Sequence, residues 1–177
     1  MFHEKIAKLT ADHLRTHIEA YLDIISAEYT GIEQSTLIVP KSIDPASVVG
    51  GMMTEFDQIL PQYGVDVLSK ILGEEIENLF TYDYLGQING LVNSTSRESV
   101  DKICYRHARA VEYFIKQHQF LHNENNTNYR ILGFGFAGLD FSGAENLGTV
   151  NDREVWVAAF SVNVIWATSE DGFVQHA

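Results

Sequence analysis

"GFGFAG", residues 133 to 138, decides between two folds. As G-x-G-x-x-G it matches the phosphate loop of a dinucleotide-binding α/β protein. That loop must open a helix, because the helix amino terminus supplies the N–H groups and the dipole that hold pyrophosphate. As an alternation, the same residues send Leu132, Phe134 and Phe136 to one face and Gly133 and Gly135 to the other, which is the period of a strand. Leu139-Asp140-Phe141-Ser142-Gly143 follows and does not open a helix. Glu154 stands where the fingerprint asks for an acidic residue, but it opens a strand and closes no βαβ unit. The stretch therefore reads as a strand, and no nucleotide or other cofactor is expected.

The surrounding pattern agrees. Tyr129 to Phe141 forms the glycine-rich strand, and Ser142 to Asp152 reads as a looser segment that turns the chain. The last strand then carries Trp156, Ala158, Phe160, Val162, Val164 and Trp166 on one side, with Ala159, Ser161 and Asn163 on the other. Upstream, Val65 to Leu72 alternates and ends in a polar turn at Gly73-Glu74-Glu75. A longer alternation follows, with Phe80, Tyr82, Tyr84, Ile88 and Val92 sharing a face with Gly86 and Gly90. These two segments make a hairpin whose length predicts either a bend at Gly86 or an arm beyond the body. Between the strand pairs, Thr95-Ser96-Arg97-Glu98 reads as a capping box. The helix it opens has Val100, Cys104, His107, Ala108, Val111, Phe114, Ile115 and His118 as its inner stripe, with Lys102, Arg106, Arg109 and Glu112 opposite.

At the amino end, Leu14, Ile18, Leu22, Ile25 and Tyr29 recur at helical steps, with Thr10 placed to cap and Gly31 to stop. Residues 31 to 62 form a loop-rich excursion. Leu37-Ile38-Val39 suggests a short strand, and Asp44-Pro45 a helix start. The order predicts one α+β domain over residues 1 to 177. It has a mostly antiparallel sheet, made of a long hairpin and two carboxy-terminal strands, with helices packed on one face. The other face is left partly open.

Composition limits the function classes. The 177 residues are 45% hydrophobic, enough for a core, and the apolar run Val155 to Ala167 is too short and too polar to span a membrane. The amino terminus lacks a secretory pattern and Cys104 is the only cysteine, so an intracellular protein without an intrachain disulfide is expected. Asn93-Ser94-Thr95 and Asn125-Asn126-Thr127 then read as turns, not as glycosylation acceptors. A formal charge of −12 argues against a protein that grips nucleic acid through phosphates. Arg97, Lys102, Arg106, Arg109 and Lys116 nonetheless gather in one segment, a solvated helix face or a contact surface for something acidic.

No residue pattern carries a catalytic signature. Cys104 reads as a small buried hydrophobe. His13 and His17 lie one turn apart, a spacing that suits a shared metal, but His3, His118 and His122 add no third ligand by spacing. Glu74, Glu75 and Glu77 fall in the expected turn, where carboxylates are solvated. No serine lies in a G-x-S-x-G elbow. Phe80-Thr81-Tyr82-Asp83-Tyr84 could stack bases, yet its acidic flanks remove the electrostatic half of that mechanism, leaving a sheet core or subunit seam.

The succession of an amino-terminal helix, a hairpin ending in "FTYDYLGQINGLVNSTSRESVDKICYRHARAVEYFI", and a closing strand "DREVWVAAFSVNVIW" resembles the tail terminator and neck (head-tail connector) proteins of long-tailed bacteriophages. The likeness covers residues 10 to 29 and 62 to 167, in element order and pattern. It implies a non-enzymatic virion protein, assembled in the host cytoplasm. Such a subunit forms a ring, typically sixfold, that caps the tail tube and joins it to neck proteins while DNA passes through without specific binding. A different neck component, or a small cytoplasmic metal- or ligand-binding enzyme, are the alternatives. Under the first reading Phe80, Tyr82 and Tyr84 on the long strand, and Lys102, Arg106 and Arg109 on the helix, are the expected interface residues.

Overall fold

The computed structural model describes residues 2–31, 37–45, 60–76, 79–119, 121 and 129–171. Two helices, α1 (Phe2–Glu28) and α2 (Arg97–Gln117), pack on one face of a five-stranded sheet. The strands are β1 (Ser42–Asp44), β2 (Gln62–Ile76), β3 (Leu79–Ser94), β4 (Tyr129–Val150) and β5 (Arg153–Asp171), in the order β1-β2-β3-β5-β4. Every pairing is antiparallel except the short β1–β2 contact. The expected α+β class is what the chain adopts.

α1 begins earlier than its large apolar residues indicate. Ile6, Ala7, Thr10 and Ala11 continue the buried stripe of Leu14, Ile18, Leu22 and Ile25. Thr10 therefore caps nothing: its hydroxyl donates to the Ile6 carbonyl at 2.8 Å and accepts the Trp166 indole N–H at 3.0 Å. The cap of α2 lies one residue beyond the expected box, at Ser96, whose hydroxyl accepts from the Ser99 amide. Glu98 pairs instead with Lys102 one turn on. In the excursion, the short strand is Ser42-Ile43-Asp44 and not Leu37-Ile38-Val39, and Asp44 ends that strand. The helix expected after Pro45 falls outside the described residues.

Three strands exceed their expected bounds. β2 runs through Gly73, Glu74 and Glu75, which lie within the strand and not in a turn, Glu75 opposite Phe80 and the other two at a register shift; Glu77 lies outside the described residues. β5 continues past Trp166, so that β3 is paired along its whole length from Leu79↔Asp171 to Ser94↔Trp156. The β2–β3 hairpin is thus no free arm. The segment Ser142 to Val150 is strand rather than loose turn, and a two-residue turn at Asn151-Asp152, both at positive φ, closes the β4–β5 hairpin. That hairpin runs on beyond the last β3 pair as a two-stranded ribbon.

On the helix-facing side, Tyr63, Val65, Tyr84, Ile88, Val92, Phe160, Val162, Val164 and Trp166 form the core against both helices. Gly86 and Gly90 belong to this side because a methyl group at either would meet the Trp166 or Phe160 ring. The opposite face is open and polar. Gln87 donates to Asn163 at 3.0 Å, Asn163 to Asp140 at 2.9 Å, and Ser161 to Asn89 at 2.7 Å. No helix of the described residues is long and apolar enough to cross a membrane.

Candidate interaction surface

The two outer long strands carry half of the large exposed apolar side chains among the described residues. On the β2 side these are Leu68 (62% exposed), Ile71 and Leu72, joined by Leu79 at the start of β3. On the β4 side they are Leu132, Phe136 and Phe141, with Tyr105 of α2 against Phe141 at 6.0 Å between rings. Leu132 is exposed where simple alternation groups it with the buried Phe134, and it stands at the register shift Ile131/Gly133. A groove of about 390 Å³ follows the β4 edge, lined by Ile115, Lys116, Leu132, Phe136 and Ile165 among others.

The stretches Leu68 to Leu72 and Leu132 to Phe136 sit at the same height in the sheet, while Phe141 lies in the row of Tyr63, Gly90 and Phe160. One row across the sheet is Leu72, Tyr82, Thr168, Ile131, and another is Val67, Gly86, Val164, Phe136. Among the described residues, β1 covers β2 only at Gln62 to Gly64, and β4 pairs only with β5. Over much of their length both edges therefore present backbone groups as well as side chains. The residues just after α2 close the β4 edge at one point, where the Phe134 N–H donates to the Gln119 carbonyl at 2.7 Å. Register shifts at two places on β2 and four on β4 break each edge into short regular stretches.

The expected interface residues divide. Phe80 and Tyr82 are half-buried, their rings stacked at 6.2 Å, with the Lys70 ammonium 3.6 Å above Tyr82. Tyr84 is buried and donates to the Glu170 carboxylate at 2.5 Å, which also accepts from Lys70 at 2.9 Å. Burial, and then the Glu170 carboxylate, holds the Tyr84 hydroxyl protonated. Alternation does not mark Glu170, because it lies in the polar stretch Thr168 to Asp171 after Trp166. Arg106 is a correction to the outward face expected of it. It is 4% exposed and lies over the Tyr29 ring at 4.0 Å. Lys102 and Arg109 do reach the surface, paired with Glu98 at 2.6 Å and Glu28 at 2.8 Å, and Lys116 pairs with Glu112. The basic helix face is therefore largely neutralised within the subunit.

Cys104 is buried and its thiol is pushed up to about 12, mainly by burial and then by Asp101, so it stays protonated at neutral pH. His13 and His17 gain the third partner that spacing alone did not supply. The fold brings His118, at the carboxy end of α2, against them. Burial, and then His17 and His13, lower the pKa of His118.

No protein-family model matches the chain, and no curated protein does. Among solved structures, the chain is similar to one from the "Virion of native gene transfer agent (GTA) particle", at 7% identity and a TM-score of 0.35, over 86% of this chain and 98% of that one. So distant a likeness specifies neither the fold nor the function.

Proposed function

We propose that the chain is a non-catalytic virion subunit of a long-tailed phage or phage-like particle, which joins copies of itself into a ring capping the tail tube below the neck. The observation that carries the reading is the pair of apolar sheet edges at one height, Leu68 and Leu72 on β2 and Leu132 and Phe136 on β4. β2 and β4 run in opposite directions in the sheet. A neighbour rotated about a ring axis sets its β4 antiparallel to this β2, continuing the alternation of the sheet. Such a contact is heterologous, and it closes into a ring when the rotation per copy divides the circle. The broken register of both strands keeps the edges from pairing indiscriminately, so side chains supply most of the specificity.

Phe80 and Tyr82 flank the β2 patch and Lys102 and Arg109 lie on the outward side of α2; these are the retained interface residues. Tyr84 and Arg106 support them from within. Asp66, Asp83 and Asp140 stand on the open face, which we assign to the lumen, where negative charge repels passing DNA. A ring whose lumen is net positive contradicts that assignment. Negative-stain imaging of polymerising tail-tube protein with and without the purified chain tests the cap. Added chain gives shorter tubes with blunt, decorated ends; tubes of unchanged length and bare ends contradict the reading.

A further inference from the structure

We propose that His13, His17 and His118 form a binding site for a divalent first-row transition metal, zinc in the first instance, that ties α1 to the carboxy end of α2. The nitrogen ligand atoms of the three side chains all lie within 4.8 Å of one another. His13 and His17 share one face of α1 at one-turn spacing, and the His17 and His118 rings stand 4.4 Å apart. A tetrahedral zinc with bonds of about 2.1 Å needs nitrogens roughly 3.4 Å apart, a contraction that small rotations of half-buried side chains supply. His118 is already held. Phe114 stacks beneath it at 4.8 Å, and the Tyr21 hydroxyl is 2.9 Å from its Nε2.

The Tyr21 contact supplies what metal-bound imidazoles ordinarily have, a hydrogen-bond partner on the other ring nitrogen. With Nε2–H donating to the Tyr21 hydroxyl, Nδ1 of His118 presents the lone pair to the metal. His118 also sits at the C-cap of α2, where the dipole favours a cation. Imidazole nitrogens suit zinc, copper and nickel rather than calcium or magnesium. Three protein ligands leave a fourth position for water or for a side chain from a neighbouring molecule. The site is independent of the ring: it would bind metal in a single subunit.

Calorimetric titration of untagged, chelator-treated full-length protein with zinc chloride tests the site, with tetrahedral cobalt absorption as the second readout. The expected result is one zinc per chain, a melting temperature that rises with free zinc, and an intense visible cobalt spectrum. His17→Ala and His118→Gln each weaken binding roughly tenfold or more, and His3→Ala leaves it unchanged. Circular dichroism on each variant verifies folding, and His13→Ala serves if either of the other variants does not fold. Absence of saturable binding, or binding that persists in the folded variants, overturns the proposal.

Discussion

At the scale of single residues, the buried polar groups are the least legible in sequence and the most informative in structure. His107 was expected on the inner stripe of α2, and it lies there fully buried with the Tyr63 hydroxyl 2.5 Å from Nδ1. Its Nε2 meets no hydrogen-bond partner among the described residues. Burial depresses its pKa to about 3, so the folded chain refuses a proton that the unfolded chain accepts. Stability from this group is fully present above the ordinary imidazole range, near 6.5, and is lost as pH falls from there toward 3. His107→Gln, which keeps a polar partner for Tyr63, removes that component. The difference in slope of unfolding free energy against pH between the two proteins should approach about 1.4 kcal/mol per pH unit within the window. Denaturant titrations at a series of pH values measure it; parallel slopes would refute a neutral buried imidazole. Helical spacing sufficed to bury His107. It said nothing of Tyr63, 44 positions away in the chain. Still longer separations in sequence hide the pairing of Tyr84 with Glu170, 86 positions apart, and the meeting of His118 with His13 and His17.

At the scale of elements, alternation placed the strands and their faces, while their ends escaped. α1 extends beyond its expected start because Ala7, Thr10 and Ala11 are small or polar yet fully packed, and periodicity of large apolar residues does not count them. β4 read as loose after Phe141 because each register shift resets the alternation by one residue, which period-two counting takes for loss of structure. β5 read short because Thr168, Ser169 and Glu170 are buried polar residues. The glycines of β3, by contrast, were assigned correctly to the packed side, and that assignment has consequences. Gly90→Ala drives a methyl group into the Phe160 ring and should cost about 1–3 kcal/mol through overpacking. Gly135→Ala, in the fingerprint-like stretch on β4, meets open space and should be neutral or stabilising by about 0.4–1 kcal/mol through the unfolded state. Thermal unfolding of both variants checks the pair. Equal losses at the two positions would show that the packed face of β3 has been misassigned.

At the scale of the whole molecule, the layout of helices on one face and a partly open face on the other is legible from period and order. The matched heights of the two apolar edges are not, since they depend on register across four strands. The account's central claim is that copies join edge to edge, β2 of one against β4 of the next. The most direct measurement is multi-angle light scattering of the wild type, of Leu72→Glu, of Phe136→Glu, and of the two variants mixed. The account predicts a wild-type mass of about six times the 19.9 kDa of one chain, monomers for each variant alone, and a heterodimer for the mixture, in which one intact edge of each kind survives. A wild type that stays monomeric at high concentration, or variants that assemble as the wild type does, would contradict it.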